Sequence, residues 1–75
     1  MTNTLKLVLV ESGRVIEVGD RLPDFRGDMV TVQGMTPPRH SGSTGRVYVL
    51  PDGSTMRREF FPSVIGAAWV AADAQ

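Results

Sequence analysis

The chain has no cysteine among its 75 residues and only one histidine. Without thiols it can form neither a disulfide nor a thiolate metal site. A single imidazole among scattered carboxylates is also a poor donor set for structural zinc. No segment approaches the roughly 20 apolar residues that a membrane-spanning helix needs. We therefore expect no metal, no cofactor and no insertion into a membrane.

Net charge is missing as well, because eight basic residues balance eight acidic ones. Bulk electrostatics therefore gives no reason to propose nucleic acid or an anionic membrane as a partner. The charges are nevertheless unevenly placed: residues 39–58 contain four Arg and one Asp, a net of +3. Arginine suits planar, bidentate contacts to phosphate or carboxylate, so this basic stretch is where an anionic partner would bind.

The N-terminus does not resemble a signal peptide. The apolar run at residues 5–10 is broken by Lys6, and neither a cationic segment nor a small-residue cleavage site flanks it. The expected location is the cytoplasm.

The length predicts a single domain that spans residues 1–75. A chain this short buries only about 60% of the surface that its unfolded form exposes, so its core is small. Domains of this size often depend on a staple or a partner, which adds some weight to self-association or complex formation.

Short apolar runs separated by turn residues predict an all-β fold. The predicted strands are residues 5–10, 15–18, 28–35, 46–50, 55–61 and 68–70, with the first two forming a hairpin. We expect residues 21–27 to form a connection in which Leu22 and Phe25 plug one end of the barrel. Residues 51–54 are predicted to form a tight turn, and residues 62–66 a short 3₁₀ turn. The Ala-rich stretch 67–72 leaves a helix as the alternative to the last strand. Because closure removes exposed edges, we expect a small SH3-like barrel of five to six antiparallel strands.

One stretch resembles a known motif, with a Gly-Asp pair, two alternating valines, a glycine, a loop, two glycines three apart and a final valine. The residues that carry it are Gly27, Asp28, Val30, Val32, Gly34, Gly42, Gly45 and Val47. This pattern resembles the KOW motif of SH3-like barrels in ribosomal proteins and transcription elongation factors. The resemblance implies contact with RNA, the ribosome or RNA polymerase through the loop. The chain also resembles small proteins of actinobacteria and their phages, which implies no activity.

The candidate binding residues lie in the loop 35–44 and in the predicted hairpin that follows it. They are Arg39, His40, Arg46, Tyr48, Arg57 and Arg58. Arginine would hold phosphate, while Tyr48 and Phe61 would stack on bases. The alternative, which the neutral composition favours, is a set of solvated charges partly paired with Glu59 and Asp52.

Catalytic and metal sites have little support. His40 has only Ser41 and Ser43 as neighbouring nucleophiles, and nothing in the sequence predicts the third group that a triad needs. We therefore predict that the protein is not an enzyme. Three acids spaced four apart, Asp20, Asp24 and Asp28, are predicted to form turns and to pair with Arg, because that spacing does not converge side chains in strands.

Four large apolar side chains near the C-terminus are predicted to belong mainly to the core. They are Met56, Phe60, Phe61 and Trp69. Any of them that is exposed would mark a dimer or partner surface.

These observations favour a non-enzymatic binding module that engages protein partners or itself through strand edges and the loop 35–44. The alternative is a KOW-like protein that binds RNA or associates with the ribosome or RNA polymerase.

Overall fold

The computed structural model describes residues 5–40 and 42–72, and within them the chain is all-β apart from one 3₁₀ helix. The strands are β1 (Leu5–Leu9), β2 (Arg21–Pro23), β3 (Met29–Thr36), β4 (Arg46–Pro51), β5 (Arg58–Phe60) and β6 (Ala67–Ala71), with the 3₁₀ helix η1 at Pro62–Ile65. The predicted all-β class is therefore confirmed.

The strands form two antiparallel sheets. The smaller sheet pairs β1 with β6, and the larger has the order β2-β3-β4-β5. In the larger sheet the register of β3 against β4 shifts between Val32 and Gly34. Gln33 is therefore an extra residue, and such a bulge bends and twists its strand.

The segment between β1 and β2 connects the two sheets through backbone hydrogen bonds. The Ile16 N–H donates to the Leu7 carbonyl over 2.8 Å, and the Val32 N–H donates to the Asp20 carbonyl over 2.8 Å. The first bond reaches the small sheet and the second reaches the large one. This segment therefore fixes the position of one sheet relative to the other.

The core lies between the sheets and follows the alternation of the strands. Five side chains are almost completely buried: Leu7, Val30, Val32, Val47 and Val49. In β3 and β4 the buried valines are two residues apart, so one face of each strand turns inward. Burying each such side chain contributes about 1.5–3 kcal/mol, and these valines are the main anchor of the large sheet.

The predicted strand at residues 15–18 is wrong. Only an isolated bridge joins Val15 to Val8, and Val18 is exposed. The second strand is instead Arg21–Pro23, which the prediction treated as part of a connection. Pro23 disfavours a strand in sequence terms, but β2 is an edge strand, where a missing N–H is tolerated.

Several predicted elements near the C-terminus are confirmed. Residues 67–71 form a strand rather than a helix, and η1 ends at Gly66 with a φ of 70°. The Ser54 N–H donates to the Pro51 carbonyl over 3.0 Å, which closes the predicted tight turn. β5 is shorter than predicted, covering Arg58–Phe60 rather than residues 55–61.

The large side chains divide into two groups. Phe60 and Trp69 pack against the core as predicted. Met56 and Phe61 are exposed by 72% and 51%, so their assignment to the core is wrong. Phe25 is also exposed, by 75%, and does not plug an end of the fold. It lies in a turn that closes on itself, and its side chain has no inner sheet face to occupy.

The three regularly spaced acids form turns and pair with arginine, as predicted. Asp20 lies 3.3 Å from Arg14, while Arg26 lies 3.8 Å from Asp24 and 3.7 Å from Asp28.

Candidate functional site

A groove of about 600 Å³ lies between the β3–β4 loop and the segment that runs from the end of β5 into β6. Pro38 and Thr44 line it on the loop side, Phe61 and Pro62 line the opposite side, and Trp69 contributes from β6. These side chains are mostly apolar or aromatic. The groove thus presents a concave, mostly apolar surface.

The loop wall is held in place by Trp69. The indole Nε1–H of Trp69 donates to the Thr44 carbonyl over 2.8 Å, across 25 positions of sequence. Within the loop, the Gly45 N–H donates to the Ser43 hydroxyl over 3.2 Å, and the Ser43 N–H donates to the His40 carbonyl over 3.0 Å. The groove therefore has an ordered wall although it is built from a loop.

Gly45 allows the loop to approach β6 this closely. Its φ is 67°, in the left-handed region that glycine adopts without penalty. A Cβ at this position would lie 2.6 Å from the Thr36 carbonyl oxygen and 2.8 Å from Trp69 Nε1. No side chain fits in that space, so the backbone conformation and the bond to Trp69 both require glycine at this position.

Arg46 lies beside the groove and is already engaged. Its guanidinium carbon lies 4.4 Å from the centroid of the Phe61 ring, and Nε lies 3.2 Å from a carboxylate oxygen of Glu59. Nη1 also donates to the Gly45 carbonyl over 2.7 Å. Arg46 therefore fixes Phe61 at the rim while its own charge is partly neutralised.

Tyr48 and Arg57 form a separate pair on the outer face of the large sheet. The Arg57 guanidinium lies 5.1 Å from the centroid of the Tyr48 ring. The Tyr48 hydroxyl accepts a hydrogen bond from the Thr36 hydroxyl over 3.3 Å. Arg58 is opposite Val49 in the register, and since side chains alternate along a strand it lies on the other face from Glu59.

Arg39 and His40 are exposed in the loop, next to the groove-lining Pro38. Residues 38–44 contain no acid, so this wall carries positive charge only. The structure therefore divides the six predicted binding residues: Arg39, His40 and Arg46 lie around the groove, whereas Tyr48, Arg57 and Arg58 lie on the sheet.

The acidic partners of these arginines are only partly as predicted. Glu59 pairs with Arg46, but Asp52 pairs with Arg21 of β2, whose Nε lies 3.3 Å from Asp52 Oδ1. The hydrogen bond from Arg21 lowers the pKa of the Asp52 carboxyl, and the same bond raises the pKa of Arg21. This pair lies outside the groove.

Two serines, Ser41 and Ser43, are the candidate nucleophiles beside His40. The Ser43 hydroxyl accepts from a backbone N–H, and Ser41 lies outside the described residues. Within residues 5–40 and 42–72, no three His, Asp or Glu side chains converge to hold a metal ion. In that same part of the chain, no helix has the length and apolar character needed to cross a membrane.

Sequence reasoning missed the groove itself. Pro38, Thr44 and Pro62 were treated as loop or turn residues, and Trp69 as core. One signal was available: residues 60–72 carry no charge and contain three of the chain's aromatic residues. An uncharged stretch of this kind at the end of a small domain indicates either a buried strand or a contact surface.

Comparison with protein-family models, with curated proteins and with solved structures finds no match to this chain.

Proposed function

We propose that this chain is a non-enzymatic binding module and that its groove holds a segment of a partner protein. The observation that carries the proposal is the ordered apolar groove between the β3–β4 loop and the segment from Phe61 to Trp69. A loop held by the bond from Trp69 to Thr44 is a preorganised surface, and preorganisation lowers the entropic cost of binding.

The chemistry of the lining supports a protein partner. Phe61 is half exposed and Trp69 is partly buried, so both rings can gain burial when a ligand enters. Aromatic residues are enriched in protein interfaces and supply much of their binding free energy. Arg46 packs on the Phe61 ring and holds it in place. Phe61 therefore loses little conformational freedom when a ligand binds.

We also propose that the two sheets curve into an SH3-like barrel. The strand order supports this, because the last strand follows a 3₁₀ helix and returns to pair with the first strand. The backbone bonds of Ile16 and Asp20 to different sheets support it further. Amide-to-amide contacts in solution NMR that connect residues 14–20 to both β1 and β3 would be expected of such a barrel, and their absence would contradict it.

The binding proposal can be tested with a phage-displayed library of random peptides. Peptides selected on the wild-type protein should map to the groove by amide chemical-shift changes at Thr44, Phe61 and Trp69. Phe61→Ala should weaken their binding at least about tenfold, as expected for an aromatic interface anchor. Met56→Ala is the matched control, because Met56 is even more exposed but does not line the groove.

The proposal fails if no peptide is enriched over repeated rounds, or if the enriched peptides bind Phe61→Ala as tightly as the wild type. Because Phe61 is half exposed, its replacement should leave the fold intact, and circular dichroism of the variant checks this.

RNA binding is the second candidate, and a specific arrangement favours it. Tyr48 with Arg57, and Phe61 with Arg46, each place an aromatic ring beside a guanidinium. Such pairs suit single-stranded RNA, where bases stack and phosphates bind arginine. An oligouridine of about 12 nucleotides at low salt is the probe. Arg57→Ala and Arg39→Ala should both reduce its fluorescence anisotropy change, whereas no change with wild-type protein would exclude this candidate.

A further inference from the structure

The backbone of β6 has one paired side and one open side. Leu7 and Leu9 of β1 direct their backbone groups away from β6, because Leu7 accepts from Ile16 and Leu9 donates to Arg14. Val10 donates to the Gly66 carbonyl over 2.9 Å, on the side of β6. In an antiparallel pair the backbone groups of successive residues point to alternate sides. Val8, between Leu7 and Leu9, therefore faces β6.

This alternation determines which residues of β6 face outward. Val8 is opposite Ala68 in the register and Lys6 is opposite Val70, so Ala68 and Val70 bond to β1. The residues between and beside them, Ala67, Trp69 and Ala71, must then direct their N–H and C=O groups away from β1. Among the described residues, β6 pairs with no strand other than β1.

The groove adjoins the edge of β6 that faces away from β1, because consecutive residues of β6, whose side chains point to opposite faces, line it and no residue of β1 does. Ala67, Ala68 and Trp69 line it, with Thr44 on one side and Phe61 on the other. The groove therefore lies beside backbone N–H and C=O groups that face outward at every second residue of β6. The complementary ligand is one whose own donors and acceptors repeat at the same interval, which is an extended polypeptide.

The open edge of β6 also differs from the two edges of the large sheet. At one edge, β2 carries Arg21 and Pro23, and at the other, β5 carries Arg58 and Glu59. Charges and proline are the usual protection of an edge against pairing with another chain. β6 consists of Ala67, Ala68, Trp69, Val70 and Ala71, which include neither. Of these three edges, only that of β6 lacks this protection, and it is therefore suited to pairing with another strand.

Charge around the groove restricts the ligand further. The loop wall contains Arg39 and His40 without an acid, and residues 60–72 carry no charge. The nearest carboxylate on the β5 side, that of Glu59, is paired with Arg46. An acidic side chain on the ligand would therefore meet a positive potential, and a basic one would be repelled.

We propose that the ligand of the groove is an extended segment of a partner protein that adds to β6 as a further strand. Its backbone pairs with Ala67, Trp69 and Ala71, alternate apolar side chains contact Phe61 and Trp69, and an acidic residue lies near Arg39. This inference rests on the proposed function and specifies its binding mode. Polyproline and helical ligands are excluded by it, since neither presents backbone groups at the spacing of a strand.

The first test uses the selected peptides after methylation of one backbone nitrogen at a time. Strand pairing predicts that methylation at every second residue reduces affinity at least about tenfold, while methylation at the residues between has little effect. A polyproline ligand has no such dependence, because its backbone N–H groups are not needed.

The second test is amide hydrogen exchange of the protein. In the free protein the amides of Ala68 and Val70 should be protected by β1, whereas those of Trp69 and Ala71 should exchange quickly. Addition of the peptide should protect Trp69 and Ala71. Ala71→Pro removes one outward-facing donor and should reduce the affinity for the peptide at least about tenfold, and with it the protection of Trp69 at a fixed peptide concentration. Ala71→Ser is the matched control that keeps the N–H.

The outcomes separate this inference from the proposed function. If no peptide is enriched, the proposed function fails and the inference fails with it. If peptides bind the groove without alternate sensitivity to methylation and without protection of Trp69 and Ala71, only the strand-pairing mode is overturned. If sedimentation shows a dimer in which Trp69 and Ala71 are already protected, a second copy occupies the edge and the inference is likewise overturned.

Discussion

Two connections at opposite ends of β3 differ in how they are held. The turn between β2 and β3 is closed by its own residues: the Asp24 carboxylate accepts from the N–H groups of Arg26 and Asp28 over 2.9 and 3.0 Å. The loop between β3 and β4 instead depends on Trp69, which reaches it from the last strand. One is ordered by local chemistry and the other by the completed fold.

This difference matters for binding. A turn that closes on itself needs no contact from a distant strand, because its capping carboxylate is buried and bonds to the backbone of the turn. A loop held at one distant point can leave a groove beside the contact. The same contact makes the shape of the groove depend on β6, so a change at β6 or at the loop should alter the binding surface.

Of the variants that test the difference between the two connections, Gly45→Ala should reduce stability most. Gly53→Ala is the matched control. Gly45 has a φ of 67° and Gly53 a φ of 78°, so each variant should lose about 1–2 kcal/mol of unfolding free energy by placing alanine in the left-handed conformation. Only at Gly45 does the added Cβ meet atoms, at 2.6 and 2.8 Å. The overpacking should cost about 1–3 kcal/mol more, measured as the free energy of unfolding in urea.

Equal destabilisation of the two glycine variants would show that the loop is not packed against β6 as closely as the structure indicates. Faster exchange of the Trp69 indole N–H in Gly45→Ala than in the wild type, with no such change in Gly53→Ala, would identify the broken contact directly.

Disrupting the turn between β2 and β3 should reduce stability less than Gly45→Ala does, but by a measurable amount. Asp24→Ala leaves two backbone N–H groups without their acceptor, and we expect a loss of about 1–3 kcal/mol in unfolding free energy. Asp28→Ala is the control, since its carboxylate is exposed and only pairs with Arg26. Amide exchange in Asp24→Ala should rise at residues 24–28 and stay unchanged at the β3–β4 loop. Loosening of both connections would contradict their independence.

The sequence predicted the fold wherever local pattern decides the structure. Alternating valines defined β3 and β4, Pro51 and Gly53 defined the turn after them, and Gly66 defined the end of η1. The predictions that are wrong concern which segment pairs with which strand. Residues 15–18 are apolar enough for a strand, but only Ile16 is buried, and the neighbouring segment at Arg21 pairs with β3 instead. Which of two adjacent segments pairs is decided by tertiary contacts that a short pattern does not contain.

The candidate site was less predictable than the fold. Composition placed the basic residues and located the loop, but the groove needs the bond from Trp69 to Thr44 and the close approach at Gly45. The bond from Trp69 to Thr44 joins residues 25 positions apart in the sequence. From sequence alone, an aromatic residue near a chain end fits a core position and a surface position equally well. Phe60 and Phe61 are adjacent and are both predicted to belong to the core, but Phe60 is partly buried and Phe61 is exposed.

The smallest effect should come from a contact that is long-range and exposed, the pair of Arg21 and Asp52. Arg21 lowers the pKa of Asp52, so the pair contributes stability above about pH 4 and loses it as the pH falls through the folded-state pKa. Asp52→Asn should therefore lower the urea midpoint slightly at pH 7, and this difference from the wild type should shrink as the pH falls below about 4. Arg21→Gln should have the same effect, and the double variant should add nothing to either.

A loss as large as that of Asp24→Ala would mean that distance along the chain, rather than burial, determines how much a contact contributes. We expect the reverse, because solvent screens this ion pair, whereas the hydrogen bonds of Asp24 are made by a buried carboxylate and the close contacts at Gly45 are steric.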